Sequence, residues 1–119
     1  MPELNRWRDI YKHLKSKGYD VYAPGQKVGD CTSKYIVVKN DGTAKVAGTS
    51  SEQEYYSVMC YVPLAEYSEL ETFKQKVKED MKELHPMVSA VGEETPSYTD
   101  TNNKSHMISV EYRNYKKSF

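Results

Sequence analysis

Long apolar runs are missing from this 119-residue chain, and with them any expectation of a membrane-spanning segment. The stretch from Met1 to Asp9 carries charge where a secretion signal would be apolar, so export by that route is not expected either. Cysteine is scarce: Cys31 and Cys60 stand alone, and neither belongs to a CxxC pair. Zinc-finger, ribbon and thioredoxin-like readings therefore have no support, and a reduced, cytosolic setting is the default. Net charge is absent, since 17 basic residues balance 17 acidic ones. A neutral whole sets up no field to hold DNA or anionic lipid, which argues against non-specific nucleic-acid binding as the main task. Catalytic signatures are lacking as well. There is no GxSxG elbow, P-loop or HExxH, and the glycines between Gly25 and Gly29 do not form a phosphate cradle. His13, His85 and His106 each have an ordinary structural explanation, and Asp30 beside Cys31 has no spacing that marks a thiol nucleophile. No enzymatic activity, metal or cofactor is expected. Phenylalanine is the last shortage, with 2 against 11 tyrosines. Tyrosine suits positions where one edge is buried and the other meets water or a partner, so the imbalance points to interfaces.

What is present is organised around an amphipathic stretch between Pro63 and Pro86. Tyr67, Leu70, Phe73, Val77, Met81 and Leu84 recur at steps of three or four, the spacing of one helical face. The charged residues of 74–83 fall between them and read as a solvated face. Ser68 and Glu71 have the spacing of a capping box, which predicts a regular helix over 68–84 after a lead-in turn at 64–67. Pro86 stops it by disfavouring helical backbone at His85. An earlier helix is predicted over 3–17 from Leu4, Trp7, Ile10, Tyr11 and Leu14, with Gly18 placed for a left-handed cap. Its Arg6, Arg8, Lys12, Lys15 and Lys17 are accounted for by charge balance and the helix dipole.

Strand-like segments fill the rest. Residues 19–23 form a short one closed by Pro24 and Gly25, and a loop follows to Ser33. Residues 35–39 and 43–47 flank Asn40-Asp41-Gly42, a turn signal that predicts a hairpin. A mobile tip is expected at 48–53. The clearest strand is 54–62, where Tyr56, Val58, Cys60 and Val62 share one face and Tyr55, Ser57, Met59 and Tyr61 the other. Residues 87–91 give another strand. A long polar loop over 92–105 then offers a contact surface, and 106–112 alternates once more, ahead of a basic tail at Lys116 and Lys117. The element order is α-β-β-β-α-β-β in one domain spanning 1–119.

Several segments taken together, namely Ala23-Pro24-Gly25, the run from Asp30-Cys31-Thr32 to Val38-Lys39, Val62-Pro63-Leu64, His85-Pro86 and Ser109-Val110-Glu111-Tyr112-Arg113, resemble the tail-terminator or head-tail joining proteins of long-tailed bacteriophages and prophages. The family's fold, helices packed on a mixed sheet, agrees with the order above. An α+β fold is therefore expected, with a mostly antiparallel sheet and two helices on one face. The resemblance implies a non-enzymatic minor capsid or neck protein of the virion, assembled in the bacterial cytoplasm. Its partners would be other copies of itself in a ring, commonly hexameric, the tail-tube protein and the head-side connector, with DNA only passing through. Candidate interface residues are Tyr55, Met59 and Tyr61 on the central strand and Glu93, Glu94, Tyr98 and Asp100 in the polar loop. A neighbouring head-completion or connector-adaptor role is the alternative. A third reading is a small nucleic-acid-binding domain using Tyr55, Tyr61, the basic residues of the first helix and the tail.

Overall fold

A computed structural model describes residues 6–45 and 51–117. Helix α1 (Trp7–Ser16) leads into strands β1 (Val21–Tyr22), β2 (Tyr35–Lys45) and β3 (Ser51–Pro63), helix α2 (Leu70–Met81), then β4 (Ser89–Glu94), β5 (Tyr98–Asp100) and β6 (Ser105–Lys117). The strands form one six-stranded sheet in the order β1-β2-β3-β6-β4, with β5 pairing beside β4 on the same side of β6. Only β1 and β2 run parallel, and every other pairing is antiparallel. The fold is thus α+β, with a mixed, mostly antiparallel sheet.

The alternation in β3 sets the layers. Tyr56, Val58, Cys60 and Val62 are fully buried, in rows with Ile36 and Val38 of β2 and Ile108, Val110 and Tyr112 of β6. Ile10 and Leu14 of α1, with Leu70, Phe73, Val77 and Met81 of α2, close the same core. Both helices therefore cover one face of the sheet. They are also tied to each other: His13 Nε2 lies 2.7 Å from the Asp80 carbonyl oxygen, the Tyr19 hydroxyl donates to the Asp80 carboxylate, and Lys17 pairs with Glu83 at 2.7 Å. α1 stops at Lys17, and Gly18 follows with φ +94°, the left-handed cap its position foretold. The predicted positions 3–5 lie outside the described residues.

Several expectations are corrected. The helix predicted over 68–84 is regular only from Leu70 to Met81, between 3-10 turns at Leu64–Glu69 and Lys82–Leu84. Glu66 leaves helical geometry (φ −114°, ψ 28°), which turns Tyr67 out of the stripe to 54% exposure. No side-chain cap forms, and Glu71 pairs instead with Lys74 at 2.7 Å. The Asn40-Asp41-Gly42 turn is not a chain reversal: β2 runs through it with a bulge and pairs with β3, residues 43–45 belong to β2 itself, and 46–47 lie outside the described residues. Asn40 Oδ1 accepts from the Gly42 amide at 2.8 Å and Gly42 has φ +106°, so the local chemistry of a turn is used to insert one residue into a strand. Of the predicted mobile tip, 51–53 belong to β3 and 48–50 lie outside the described residues. The long loop at 92–105 is mostly ordered, taken up by the end of β4, by β5 and by a tight turn into β6; the strand placed at 87–91 begins at Ser89. Finally, the 74–83 face is not all solvated. Lys74 is buried, bracketed by Glu71 and by Glu94 at 2.7 Å each.

Among the described residues, no helix is long and apolar enough to cross a membrane.

Candidate interaction surface

The sheet face turned away from the helices carries most of the residues singled out by sequence. Pairing register sets Tyr35 of β2, Tyr61 of β3, Met107 of β6 and Tyr98 of β5 in one row across the sheet. Tyr35 and Tyr61 stack with centroids 4.5 Å apart and planes within 9°, and Tyr22 of β1 meets Tyr35 edge-on at 5.7 Å. Cys31, Tyr35 and Val37 form a small second cluster, with Met59 and Tyr61 packed against it. The segment ahead of β2 folds over its end: the Cys31 amide donates to the Asn103 carbonyl at 2.7 Å, and Lys27 Nζ sits 5.3 Å from the Tyr35 ring centre. Burial pushes the Tyr35 hydroxyl up to about 12 and raises Tyr61 in the same way. Tyr98, at the far end of the row, is 58% exposed.

Farther along the same face the chemistry turns acidic. Glu111 of β6 lies within the influence of Asp41 at the β2 bulge and Glu93 of β4, with Lys39 as the opposing cation. Asp41 accepts a hydrogen bond from Ser57 and pairs with Lys39 at 3.7 Å. Glu111 Oε2 is buried without a hydrogen-bond partner among the described residues. Burial first, and then Asp41, raise the Glu111 carboxyl from 4.5 to about 7. Tyr55 lies beside this cluster and donates to Gln53 Oε1 at 3.2 Å.

The candidate residues thus separate. Tyr55, Met59 and Tyr61 share the uncovered face with Glu93 and Tyr98 near its β4 and β5 margin, while Asp100 pairs with Ser105 at the end of β5. Glu94 is held from the helix side by Lys74 and Lys78, which depress its carboxyl below the ordinary range.

A feature missed by sequence lies at the opposite margin. An open cleft of about 890 Å3 is lined by Arg6, Trp7, Arg8, Asp9, Pro24, Lys39 and Asn40. Trp7 forms its inner wall, stacked on Tyr11 at 5.0 Å and donating Nε1–H to the Val38 carbonyl at 2.6 Å. Arg6 is neutralised by Asp9 at 3.1 Å, whereas Arg8 is exposed and has no ion-pair partner among the described residues. No sequence signal links Trp7 to Val38, 31 residues away; the crossing of α1 over β2 creates the cleft.

The remaining reactive side chains have structural partners or are sealed. The ring nitrogens of His106 lie 2.9 Å from Thr99 Oγ1 and 3.0 Å from the Leu64 carbonyl, and His85 approaches Ser89 Oγ at 3.4 Å. Both cysteines are free and buried, and desolvation pushes the Cys60 thiol up to about 12. Among the described residues, no group of three or more His, Cys, Asp or Glu is placed to hold a metal ion. No protein-family model matches the chain, and a search of curated proteins finds no match either.

Proposed function

We propose that this chain is a structural subunit that assembles with copies of itself into a ring capping a phage tail tube, ends tube growth and presents the surface to which the head-side connector joins. The observation that carries the reading is the open sheet with two unlike margins. One side ends at the short β1 beside β2, with a cationic cleft next to it, and the other ends at β4, with exposed Glu93. A ring closed by head-to-tail contacts needs two different complementary surfaces on each subunit, and it needs no reactive centre. The strands are also long for the body they belong to, with 11, 13 and 13 residues in β2, β3 and β6, so the sheet reaches well beyond its apolar core.

The stacking of Tyr35 on Tyr61 weighs against the nucleic-acid reading. Tyr61 already gives one ring face to Tyr35, which leaves less of it for stacking on a base.

Light scattering across a concentration series, with negative-stain images of the largest species, tests the proposal. Rings with a central hole are the expected result, and mixing with tail-tube protein should place one ring at a tube end. A chain that stays monomeric at every concentration and leaves tube growth unchanged refutes it.

A further inference from the structure

The cations of helix α1 are placed against ordinary helix electrostatics. Arg6 stands at the N-cap and Arg8 in the first turn, where the positive end of the dipole disfavours them, and no side chain caps that end. Arg8, Lys12 and Lys15 follow one another at steps of four and three, which sets them on one face, and all three are exposed. Like charges at that spacing repel. Asp9 is the one carboxylate of the helix, and Arg6 takes it at 3.1 Å, while Lys17 is taken by Glu83. Lys15 lies 5.4 Å from the Tyr11 ring centre. None of Arg8, Lys12 and Lys15 has an ion-pair partner among the described residues.

This stripe starts at the cleft. Arg8 lines it together with Lys39, whose pair with Asp41 spans 3.7 Å and leaves the lysine 54% exposed. A surface pair of that kind holds its ammonium weakly. Trp7 gives the cleft a fixed apolar wall, since Tyr11 backs the ring and the Val38 carbonyl holds its N–H, and exposed Pro24 adds to that surface. Cations thus border flat apolar surface in a space of about 890 Å3.

We propose that the cleft and the α1 stripe bind an acidic segment of a partner protein, its carboxylates meeting Arg8, Lys12 and Lys39 and an apolar or aromatic side chain resting on Trp7 and Pro24. Charge complementarity names this occupant, because it neutralises the cations that the helix itself leaves unbalanced. Nucleic acid fits less well. The chain as a whole is neutral, with Asp9 inside the cleft and Asp41 beside Lys39. A phosphate chain running on past Lys39 meets Asp41 and Glu111, whereas a short acidic segment ends before them. The inference adds a partner surface to the ring reading and does not depend on it.

Trp7 is the single tryptophan of the chain, so its emission reports on the cleft. The probes are a short synthetic peptide with glutamates flanking one phenylalanine, its glutamine counterpart, an oligothymidylate and a DNA duplex. The acidic peptide should change Trp7 emission saturably, with half-saturation below about 1 mM, and the response should weaken as salt is raised. The glutamine peptide should give none. Arg8→Glu should weaken binding about tenfold or more, while Lys82→Glu, the same charge change just past α2, should leave it within about twofold. Glutamate in the first turn favours the helix dipole, so loss of binding in Arg8→Glu does not stem from unfolding. No saturable response to the acidic peptide up to about 1 mM, equal binding of the glutamine peptide, or equal losses in the two variants each overturn the proposal. Tighter binding of either DNA than of the acidic peptide overturns it as well and puts nucleic acid in the cleft.

Discussion

Replacing Glu111 with glutamine should make the protein more stable above neutral pH. Glu111 sits on the uncovered face with one carboxylate oxygen buried and unpartnered, facing Asp41 on β2 and Glu93 on β4, with Lys39 as the cation acting on it. Its pKa rises from 4.5 to about 7 in the folded chain. Below 4.5 the folded and unfolded states both hold the proton, and this group adds no pH dependence. Between 4.5 and about 7 the folded state keeps a proton that the unfolded state has released, so stability falls as pH rises; above that window the loss is complete. Unscreened, the shift corresponds to about 3 kcal/mol. The face is open to water, and screening reduces the expected loss to ~1–2 kcal/mol. Denaturant unfolding at pH 5 and pH 8 measures it. Wild type should lose that amount relative to Glu111→Gln between the two pH values, and Asp41→Asn should flatten the dependence in the same sense. Equal pH slopes for wild type and Glu111→Gln would refute the reasoning, as would a glutamine variant less stable than wild type at pH 8.

Three further perturbations address the body of the fold. Leu70→Ala empties a fully enclosed position at the start of α2 and should cost about 2–5 kcal/mol, read as a fall in Tm; a shift near zero would mean that the stripe is not packed on the sheet. Lys74→Ala removes a buried ammonium paired with Glu71 and Glu94 and should cost about 1–3 kcal/mol at neutral pH. Lys74 holds the Glu94 carboxyl below its ordinary range, so that stabilisation is full above the ordinary range and is lost as pH falls through the depressed value. The gap between Lys74→Ala and wild type should therefore close in acid. The thiol of Cys60, raised to about 12 by burial, should resist an aromatic disulfide reagent at pH 8 until denaturant is added, and rapid labelling of the folded chain would contradict its enclosure.

The elements that sequence disclosed are those written in their own periodicity. Alternation in 54–62 named the buried and uncovered faces of β3 residue by residue, and the 3.6-residue spacing of Leu70, Phe73, Val77 and Met81 named the core face of α2. The misreadings occur where a local signal has two outcomes and a distant residue decides between them. Asn40, Asp41 and Gly42 adopt the conformation their chemistry favours, with a side-chain acceptor bonded two residues on and glycine at positive φ. That conformation serves a reversal or a bulge equally well. The partner strand decides, because Asn40 against Tyr56 and Thr43 against Glu54 hold β2 on β3 on both sides of the bulge. Lys74 is the same case in charge. It sits in a run of solvated residues, and only Glu94, brought over it by the crossing of α2 and β4, makes its burial tolerable.

The same distinction explains why the interaction surface was only half legible. Tyr55, Met59 and Tyr61 were found because face membership is a property of one strand. Sheet margins are a property of strand order, which no single stretch encodes. The short pairing of β1 ends at Val37, Trp7 reaches the next outward carbonyl from another element, and among the described residues the outer edge of β2 is consequently unpaired from Asn40 to Lys45. On the far side, β4 is outermost because β6 lies between it and β3, although β4 precedes β6 in the chain. An open sheet leaves unpaired backbone donors and acceptors at both ends, and proteins commonly blunt such edges with charge, bulges or covering segments. Here α1 and β1 cover part of one edge and Lys74 and Lys78 hold the end of the other, while bulges interrupt β2 between Asn40 and Gly42 and β4 between Ala90 and Glu94. Cover at one edge, and charge with a bulge at the other, are the ordinary devices that keep an open sheet from pairing indiscriminately, and they leave the two margins unlike one another.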